Sequence, residues 1–196
     1  YARFIDRLIF PIYSINGKLV GFGGRTLTNH GAKYVNSPQT SIFNKSKLLY
    51  GYHLAKEKIY KTKEIIVCEG YLDVIMLHQA GFNNAVATLG TALTKDHLPL
   101  LRRGEPRVIL SYDGDKAGQN AAFKASVMLS QNGFDGGVVI FENGADPADM
   151  VKDRKIEELE ELFSNPTPFA NFAISYIVSS YNINNPVEKQ KALSEA

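Results

Sequence analysis

The sequence predicts an α/β protein built around an open parallel β-sheet, and two observations lead to this prediction. From Glu64 onward, short apolar runs typical of buried strands alternate with stretches of helical periodicity. Three of these runs end at, or shortly before, acidic motifs that begin at Glu69, Asp113 and Asp146. Because open α/β sheets bind their ligands at the carboxyl ends of the strands, these acidic groups are expected to converge on one edge.

The opening of the chain predicts a small mixed α/β unit. Residues 8–13 form an apolar run, the Asn-Gly pair at 16–17 favours a type I′ hairpin turn, and residues 19–22 continue extended. The glycines of residues 21–25 suit a bulged strand or a close approach of two backbones. Residues 29–46 are polar and rich in turn formers, so they are predicted to form a loop.

After a short helix over about 47–60, the alternation of strands and helices begins. The apolar runs predict strands at 64–68, 84–88, 107–112 and 137–141. Helical spacing of apolar residues, N-capping residues and closing glycines predict helices at 71–80, from about 95, at 116–131 and after Pro147. These crossovers are long enough for the strands to pair in parallel.

The end of the chain (154–196) predicts a partial helical subdomain. Residues 156–163 are amphipathic, Pro166 and Pro168 are expected to start a helix to about residue 181, and Pro186 to start a third. The sequence opens without an initiator methionine and stops inside this last helical stretch. We therefore expect it to be part of a longer protein.

Composition indicates an ordinary globular protein. The chain is 44% hydrophobic and 21% charged, with no apolar stretch of membrane-spanning length and no signal-peptide pattern. The only cysteine, Cys68, lies inside an apolar run, which excludes a disulfide within the chain and favours a reducing cytoplasm. The four histidines are scattered without metal-ligand spacing, which argues against a zinc site: His30, His53, His78 and His97.

Charge divides the chain into a basic segment (residues 1–63) and an acidic segment (residues 64–196). The basic segment holds eleven Lys/Arg against two Asp/Glu, a balance of +9, and the acidic segment has a balance of −7. This division suits a polyanion held beside a metal-assisted phosphate reaction, although two solvated surfaces of opposite sign would look the same. Lys152 and Lys155, inside the acidic segment, are expected to be ordinary surface charges.

The acidic motifs predict a site for a divalent cation. Six carboxylates belong to it: Glu69, Asp73, Asp113, Asp115, Asp146 and Asp149. Their mutual repulsion would raise their pKa values or demand a counter-cation, and without a Cys/His cluster the expected ion is Mg²⁺ or Mn²⁺. Taken singly, each motif also fits a helix cap or an Asp-Gly turn, but their order on successive strand ends favours the metal.

These motifs resemble a known family. Four of them are similar to the Toprim domain of bacterial DnaG-type primases: Val67–Val74, Leu89–Thr94, Tyr112–Gly118 and Gly144–Asp149. Toprim motifs also occur in topoisomerases, recombination proteins and some nucleases. Motifs of the basic segment resemble the subdomain that precedes Toprim in primases and narrow the match: Arg3-Phe4, Phe10–Ile12, Gly21–Arg25, Lys33–Pro38, Phe43–Lys45 and Leu49–Gly51.

The resemblance, which covers roughly residues 1–150, implies a domain organisation and a function. It implies a basic template-binding subdomain over 1–63, a Toprim-type parallel-sheet domain over 64–153 and a partial helical subdomain over 154–196. The implied reaction is synthesis of RNA primers from ribonucleoside triphosphates on a single-stranded DNA template during replication. Two alternatives remain open: a Toprim-type metal-dependent nuclease, and a non-catalytic module that binds single strands and holds a structural metal.

The resemblance also implies roles for the carboxylates. Glu69 matches the general acid/base and metal-proximal carboxylate, and Asp113 and Asp115 match catalytic metal ligands. Asp146 is implied as a further ligand and Asp73 as a supporting acidic residue. Asp149 is expected to serve as a ligand too, although Ala148 separates it from Pro147 where many family members have Asp-Pro-Asp.

Residues that would contact nucleic acid and nucleotide are implied in the same way. Arg25, Lys33 and Asn36 match positions that hold the single-stranded template, and Lys45 is expected to contact nucleotide or template. The Gly90-Thr91 turn could present backbone N–H groups to a nucleotide phosphate, or only close a crossover. By resemblance the protein acts as a monomer in the bacterial cytoplasm, at the nucleoid and replisome, without membrane contact, and meets the replicative helicase through a segment absent from this sequence.

Overall fold

A computed structural model of the chain describes residues 3–29, 31–141 and 145–195, and it contains two β-sheets. The strands of the first sheet are antiparallel in the order β1-β2-β3: β1 (Arg7–Tyr13), β2 (Leu19–Thr26) and β3 (Tyr34–Asn36). The predicted hairpin is confirmed, with Gly17 at φ +76° in its turn. Strand β3 corrects the predicted 29–46 loop, because three residues between polar turns are too few to give a strand pattern in the sequence.

The predicted helix over 47–60 is wrong at its start. A short 3-10 helix covers Lys45–Lys47, and α1 runs over Tyr52–Thr62. Between them, Tyr50 exchanges backbone hydrogen bonds of 2.8 and 3.1 Å with Ala87. This extended pairing delays the helix until Gly51, whose φ of +79° suits the turn into α1.

The second sheet has the strand order β5-β4-β6-β7-β8. Its strands are β4 (Glu64–Cys68), β5 (Ala85–Ala87), β6 (Arg107–Tyr112), β7 (Gly136–Ile140) and β8 (Thr167–Pro168). The first four pair in parallel, which confirms the predicted sheet, while β8 pairs antiparallel with β7. Of the two prolines predicted to start the next helix, Pro168 is its N-cap, whereas Pro166 lies before strand β8 and outside the helix, which begins at Phe169.

Within the described residues, five α-helices lie between these strands and two follow the last one: α2 (Tyr71–Gln79), α3 (Leu98–Leu101), α4 (Lys116–Gln131), α5 (Pro147–Lys152), α6 (Ile156–Ser164), and then α7 (Phe169–Ser180) and α8 (Pro186–Glu195). Helix α4 has its predicted bounds because the Asp115 side chain caps it, accepting a 2.7 Å hydrogen bond from the Gly118 N–H. Helix α3 begins later than expected, at Leu98, because residues 95–97 form a 3-10 turn, and Gly104, at φ +78°, ends the segment.

Both faces of the second sheet are buried, as its near-continuous apolar strands require. Leu110 faces a core with Ile59 of α1 and Leu129 of α4, and its neighbour Ile109 faces the opposite core with Leu77 of α2 and Leu159 of α6. Cys68 is fully buried in the second core, as expected. Among the described residues, no helix is long and apolar enough to cross a membrane.

A third core joins the two sheets. Phe10 of β1 stacks on Tyr71 of α2 with ring centroids 5.0 Å apart, and Phe43 fills the adjoining space. A Cβ added to Gly21 would lie 2.7 Å from Phe43, and one added to Gly23 would lie 2.7 Å from Tyr71. The close approach at the glycine-rich strand is therefore made by aromatic side chains, not by a second backbone as one of the two predicted alternatives had it, and it brings β2 against the amino end of α2.

Candidate active site

An acidic cleft of about 470 Å³ lies where the first sheet meets the carboxyl ends of β4 and β6. Both segments contribute to its lining. The basic segment supplies Arg25, Lys33, Tyr34 and Asn36. The rest comes from the acidic segment: Glu69, Gly70, Tyr71, Leu72, Asp73, Thr88, Gly90, Asp113, Asp146, Ala148, Asp149 and Lys152.

Glu69 follows the last residue of β4 and reaches towards the loop after β6. Its Oε1 accepts a 3.2 Å hydrogen bond from the Asp113 N–H. Burial and the nearby Asp113 carboxylate raise the pKa of Glu69. A half-buried carboxyl with a raised pKa, in a cleft, has the properties of a general acid or base.

Gly118 explains how Glu69 and Asp113 come so close. A Cβ at this position would lie 2.3 Å from the Asp113 carbonyl oxygen and 2.9 Å from Glu69 Oε1. Helix α4 therefore packs its first turn directly against both groups. The sequence motif included this glycine, but the requirement for a missing side chain became visible only from the packing.

Asp73 lies in the first turn of α2 and is only 6% exposed. Its Oδ2 accepts a 3.0 Å hydrogen bond from the Gly70 N–H. Burial raises the pKa of Asp73 to about 7, and the Asp146 and Asp113 carboxylates add to the shift. The residue is therefore partly protonated near neutral pH when no cation is bound.

The remaining carboxylates differ in their positions. Asp113 lines the cleft, and its pKa is raised by burial and by Asp146 and Asp115, against a lowering by Lys33. Asp115 is not among the described residues that line the cleft, and its Oδ1 caps α4. Asp146 and Asp149 both line it, and Asp146 Oδ1 accepts a 2.7 Å hydrogen bond from the Asp149 N–H.

The donor set fits a hard cation by its chemistry, since it consists of carboxylate oxygens that repel one another. Within the described residues, however, no three His, Cys, Asp or Glu side chains stand together closely enough to hold a metal ion. In this arrangement Glu69, Asp115 and Asp146 each accept a hydrogen bond from a backbone N–H through one carboxylate oxygen. The predicted ligand set thus remains a prediction.

Three positively charged residues line the cleft in the described part of the chain: Arg25, Lys33 and Lys152. The first two belong to the basic segment and were predicted. Lys152, at the end of α5, was expected to be an ordinary surface charge. Lys152 lies in the cleft because of the way α5 packs beside α2, and no pattern in the sequence indicates this packing.

Asn36 lines the cleft, but its side-chain amide is hydrogen-bonded to other residues of the protein. It is 7% exposed; its Nδ2 donates a 2.8 Å hydrogen bond to the Leu89 carbonyl, and its Oδ1 accepts one from the Tyr71 hydroxyl. These bonds connect β3 to the start of α2 and to the chain after β5. The predicted template contact of Asn36 remains untested, and the observed role is to hold the two sheets together.

Of the other predicted binding residues, one lines the cleft and two do not. Gly90, at φ +67°, lines the cleft, whereas the exposed Thr91 does not. Lys45 also lies outside the described lining, at the start of the 3-10 turn. Its carbonyl oxygen lies 3.1 Å from His97 Nε2. A nucleotide contact by Lys45 or Thr91 therefore has no support from this arrangement. Gly144, the first residue of the Gly144–Asp149 motif, is outside the described residues.

Comparisons with known proteins agree on one family. Residues 1–56 match the family model "DNA primase catalytic core, N-terminal domain", and residues 66–151 match the model "Toprim-like". The DNA primase of Helicobacter pylori is 60% identical over 195 residues, covering 100% of this chain and 35% of the relative. The DNA primase of Campylobacter jejuni is 51% identical, covering 98% and 32%. The chain thus spans about a third of the length of these curated relatives.

Solved structures give the same result. A structure described as the DnaG catalytic core superposes with a TM-score of 0.86 at 36% identity, covering 100% of this chain and 64% of that one. A DnaG primase catalytic domain bound to single-stranded DNA gives 0.85 at 36% identity, covering 99% and 64%. The RNA polymerase domain of Mycobacterium tuberculosis primase DnaG gives 0.88 at 34% identity, covering 98% and 65%.

Proposed function

Because the chain belongs to the bacterial DnaG-type DNA primase family, we propose that it carries the RNA-synthesising site of a replicative primase. The reaction is templated nucleotidyl transfer: a primer 3′-hydroxyl oxygen forms a bond to the α-phosphorus of a ribonucleoside triphosphate, and pyrophosphate leaves. The observation that carries the proposal is the acidic cleft, where strand-end carboxylates of the acidic segment face Arg25 and Lys33 of the basic segment. Nuclease chemistry would need the same carboxylates, but family membership favours synthesis.

Glu69 is the residue we assign to proton transfer. The attacking hydroxyl must lose a proton as its bond to phosphorus forms, and a carboxylate whose pKa is raised towards neutrality accepts one more readily. The Asp113 N–H fixes the orientation of the Glu69 carboxylate through the 3.2 Å hydrogen bond. Gly118 leaves room for this arrangement.

Mg²⁺ or Mn²⁺ is the cofactor we infer for this cleft, held by carboxylates among Glu69, Asp113, Asp146 and Asp149. When bound, such an ion neutralises charge on the triphosphate and favours ionisation of the attacking hydroxyl. The residues themselves supply the oxygen donors, and burial together with neighbouring carboxylates raises the pKa values of Glu69 and Asp113, a shift that a bound cation would oppose. We infer that Asp73 acts as a supporting group, and Asp115 by capping α4.

Arg25 and Lys33 are proposed to bind phosphates of single-stranded DNA next to the reaction centre. The relative bound to single-stranded DNA supports a template as the partner, and ribonucleoside triphosphates are the proposed substrates. We place this activity in the bacterial cytoplasm, in a monomeric core. A contact with the replicative helicase remains an expectation from the family resemblance.

One assay separates this proposal from its alternatives. The chain is incubated with a single-stranded template, Mg²⁺ or Mn²⁺ and labelled ribonucleotides, and the products are resolved by length. We expect RNA that depends on template and metal. Cutting of the template without RNA would indicate a nuclease, and single-strand binding with neither product would indicate a binding module. Because relatives are longer, the same assay is repeated with a protein extended to the length of its relatives.

A further inference from the structure

Lys152 is a cation in the cleft with no assigned role. It lies on the exposed end of α5, three residues after Asp149, and lines the cleft together with Asp113 and Asp146. Between the described residues, ion pairs within 4 Å join Arg107 to Glu64 and Lys155 to Glu158, and Lys152 takes part in neither. Since no described carboxylate lies within ion-pair distance of it, the Lys152 ammonium is available to an anionic ligand.

The position of Lys152 differs from that of the predicted template-binding cations. Arg25 and Lys33 come from β2 and the turn before β3, whereas Lys152 comes from the acidic segment. It is the one Lys or Arg that this segment contributes to the described lining. A phosphate chain entering the cleft therefore meets positive charge from both segments, with the carboxylates as the other charged groups of the lining.

We propose that Lys152 binds the β- and γ-phosphates of the incoming nucleotide, and the pyrophosphate formed from them. A Lys ammonium is a compact point charge that suits terminal phosphate oxygens. The acidic lining repels a triphosphate, and Lys152, three residues after Asp149, adds positive charge from the acidic segment to that of Arg25 and Lys33. The inference rests on the proposed function, since it names a substrate contact in that site.

The same phosphate chemistry could come from the template backbone, and the test separates the two sources. Pyrophosphate and ATP, each with Mg²⁺, are titrated into the chain by calorimetry, and a labelled single-stranded oligonucleotide is titrated at several salt concentrations. The variants are Lys152→Ala, Lys152→Arg and the matched control Lys155→Ala. Lys155 lies in the same region but outside the cleft, and its partner is Glu158 at 3.7 Å.

We expect Lys152→Ala to weaken pyrophosphate and ATP binding by roughly tenfold, the effect of losing a hydrogen bond to a charged group. Lys152→Arg should retain most of the affinity, and Lys155→Ala should match the unsubstituted chain. Oligonucleotide affinity and its salt dependence should stay unchanged in all three variants. Thermal melting of each variant checks that the fold is intact.

Three results would overturn the inference. Unchanged pyrophosphate and ATP affinity in Lys152→Ala would make Lys152 an ordinary surface charge. Weaker oligonucleotide binding with a shallower salt dependence would make it a template contact instead. If the unsubstituted chain binds neither pyrophosphate nor ATP, the proposed function fails together with this inference, whereas unaltered binding in Lys152→Ala overturns the inference alone.

Discussion

Glu69 illustrates how neighbouring residues determine the chemistry of a single side chain. Its carboxylate is half-buried, accepts a hydrogen bond from the Asp113 N–H, and has its pKa raised by burial and by that aspartate. A glutamine in this place keeps the carbonyl oxygen that accepts this bond and loses both the charge and the proton-transfer capacity. The substitution therefore tests the chemistry without removing the contact.

We predict that Glu69→Gln reduces primer synthesis by about 10²- to 10⁴-fold, the usual contribution of general acid–base catalysis. Folding and single-strand affinity should stay unchanged, as measured by thermal melting and anisotropy. Glu64→Gln is the matched control, because Glu64 pairs with Arg107 at 3.3 Å and is not among the described residues that line the cleft. Near-normal synthesis by a folded Glu69→Gln protein would remove Glu69 from the reaction.

Asp73 predicts how the metal-free chain responds to pH. Its pKa is about 7 in the folded chain against an ordinary value of 3.8, so between these values the folded state holds a proton that the unfolded state has lost. Asp73 therefore makes the fold more stable in acid than in alkali. This extra stability is fully present below the pKa of the unfolded chain and is lost as the pH rises through the pKa of the folded chain. The charged form of Asp73 therefore destabilises the fold at alkaline pH.

Asp73→Asn should remove this penalty and keep an oxygen for the Gly70 N–H. We expect the free energy of unfolding in EDTA to rise on the order of 2 kcal/mol at about pH 8 and to rise little at about pH 4. Chemical denaturation at the two pH values measures it, with the exposed Asp153→Asn as control. An equal gain at both pH values would contradict a buried, titrating Asp73.

At the scale of elements, the first turn of α4 determines the position of the β6 loop. Gly118 contacts the Asp113 carbonyl so closely that even one methyl group must displace the loop or the helix. Alanine favours helices over glycine, so a purely local view predicts that Gly118→Ala stabilises α4. The packing predicts instead that the added methyl group impairs function, because it displaces the Asp113 loop.

We predict that Gly118→Ala lowers synthesis by about 100-fold, the effect expected of a displacement of about 1 Å among reacting groups. Asn120→Ala, on the exposed side of the same helix, adds helix propensity without this contact and should leave synthesis unchanged. Primer synthesis by both variants, beside their melting temperatures, gives the comparison. Full activity in Gly118→Ala would show that the loop tolerates the shift.

The elements that sequence could predict are those whose own residues determine them. Strands β4, β6 and β7 are apolar runs buried on both faces, and Asp115 marks the start of α4. Strand β3 and the extended Tyr50 were missed because they exist only through pairing with β2 and Ala87. The same holds for the cleft. The positions of Glu69 and Asp113 at strand ends predicted that they lie in the site, while the roles of Lys152 and Gly118 depended on how helices pack.

At the scale of the whole molecule, the unequal charge of the two segments predicts the salt dependence of template binding. Arg25 and Lys33 line the cleft on the side of the basic segment. If each neutralises one phosphate, Arg25→Ala and Lys33→Ala should each reduce the slope of log affinity against log salt by about 0.7. Anisotropy titrations at several salt concentrations measure this slope.

The control for charge is Lys155→Ala, outside the cleft, which should leave the slope unchanged. Asn36→Ala should reduce affinity without changing the slope, since an amide releases no counterion. It should also lower the melting temperature, because the Tyr71 hydroxyl and the Leu89 carbonyl lose their partner. Equal slope changes in Lys155→Ala and Arg25→Ala would mean that the charge division is only a property of the surface.

Short antiparallel pairings at both edges of the second sheet protect it against aggregation. An uncovered strand at a sheet margin is a template on which another chain can add a strand. Tyr50 bridges to Ala87 on the outer side of β5, and β8 covers β7 with two residues, one of them Pro168, which has no N–H to donate. Neither margin therefore offers a long run of free backbone groups, and self-association through cross-chain β-pairing is disfavoured at both.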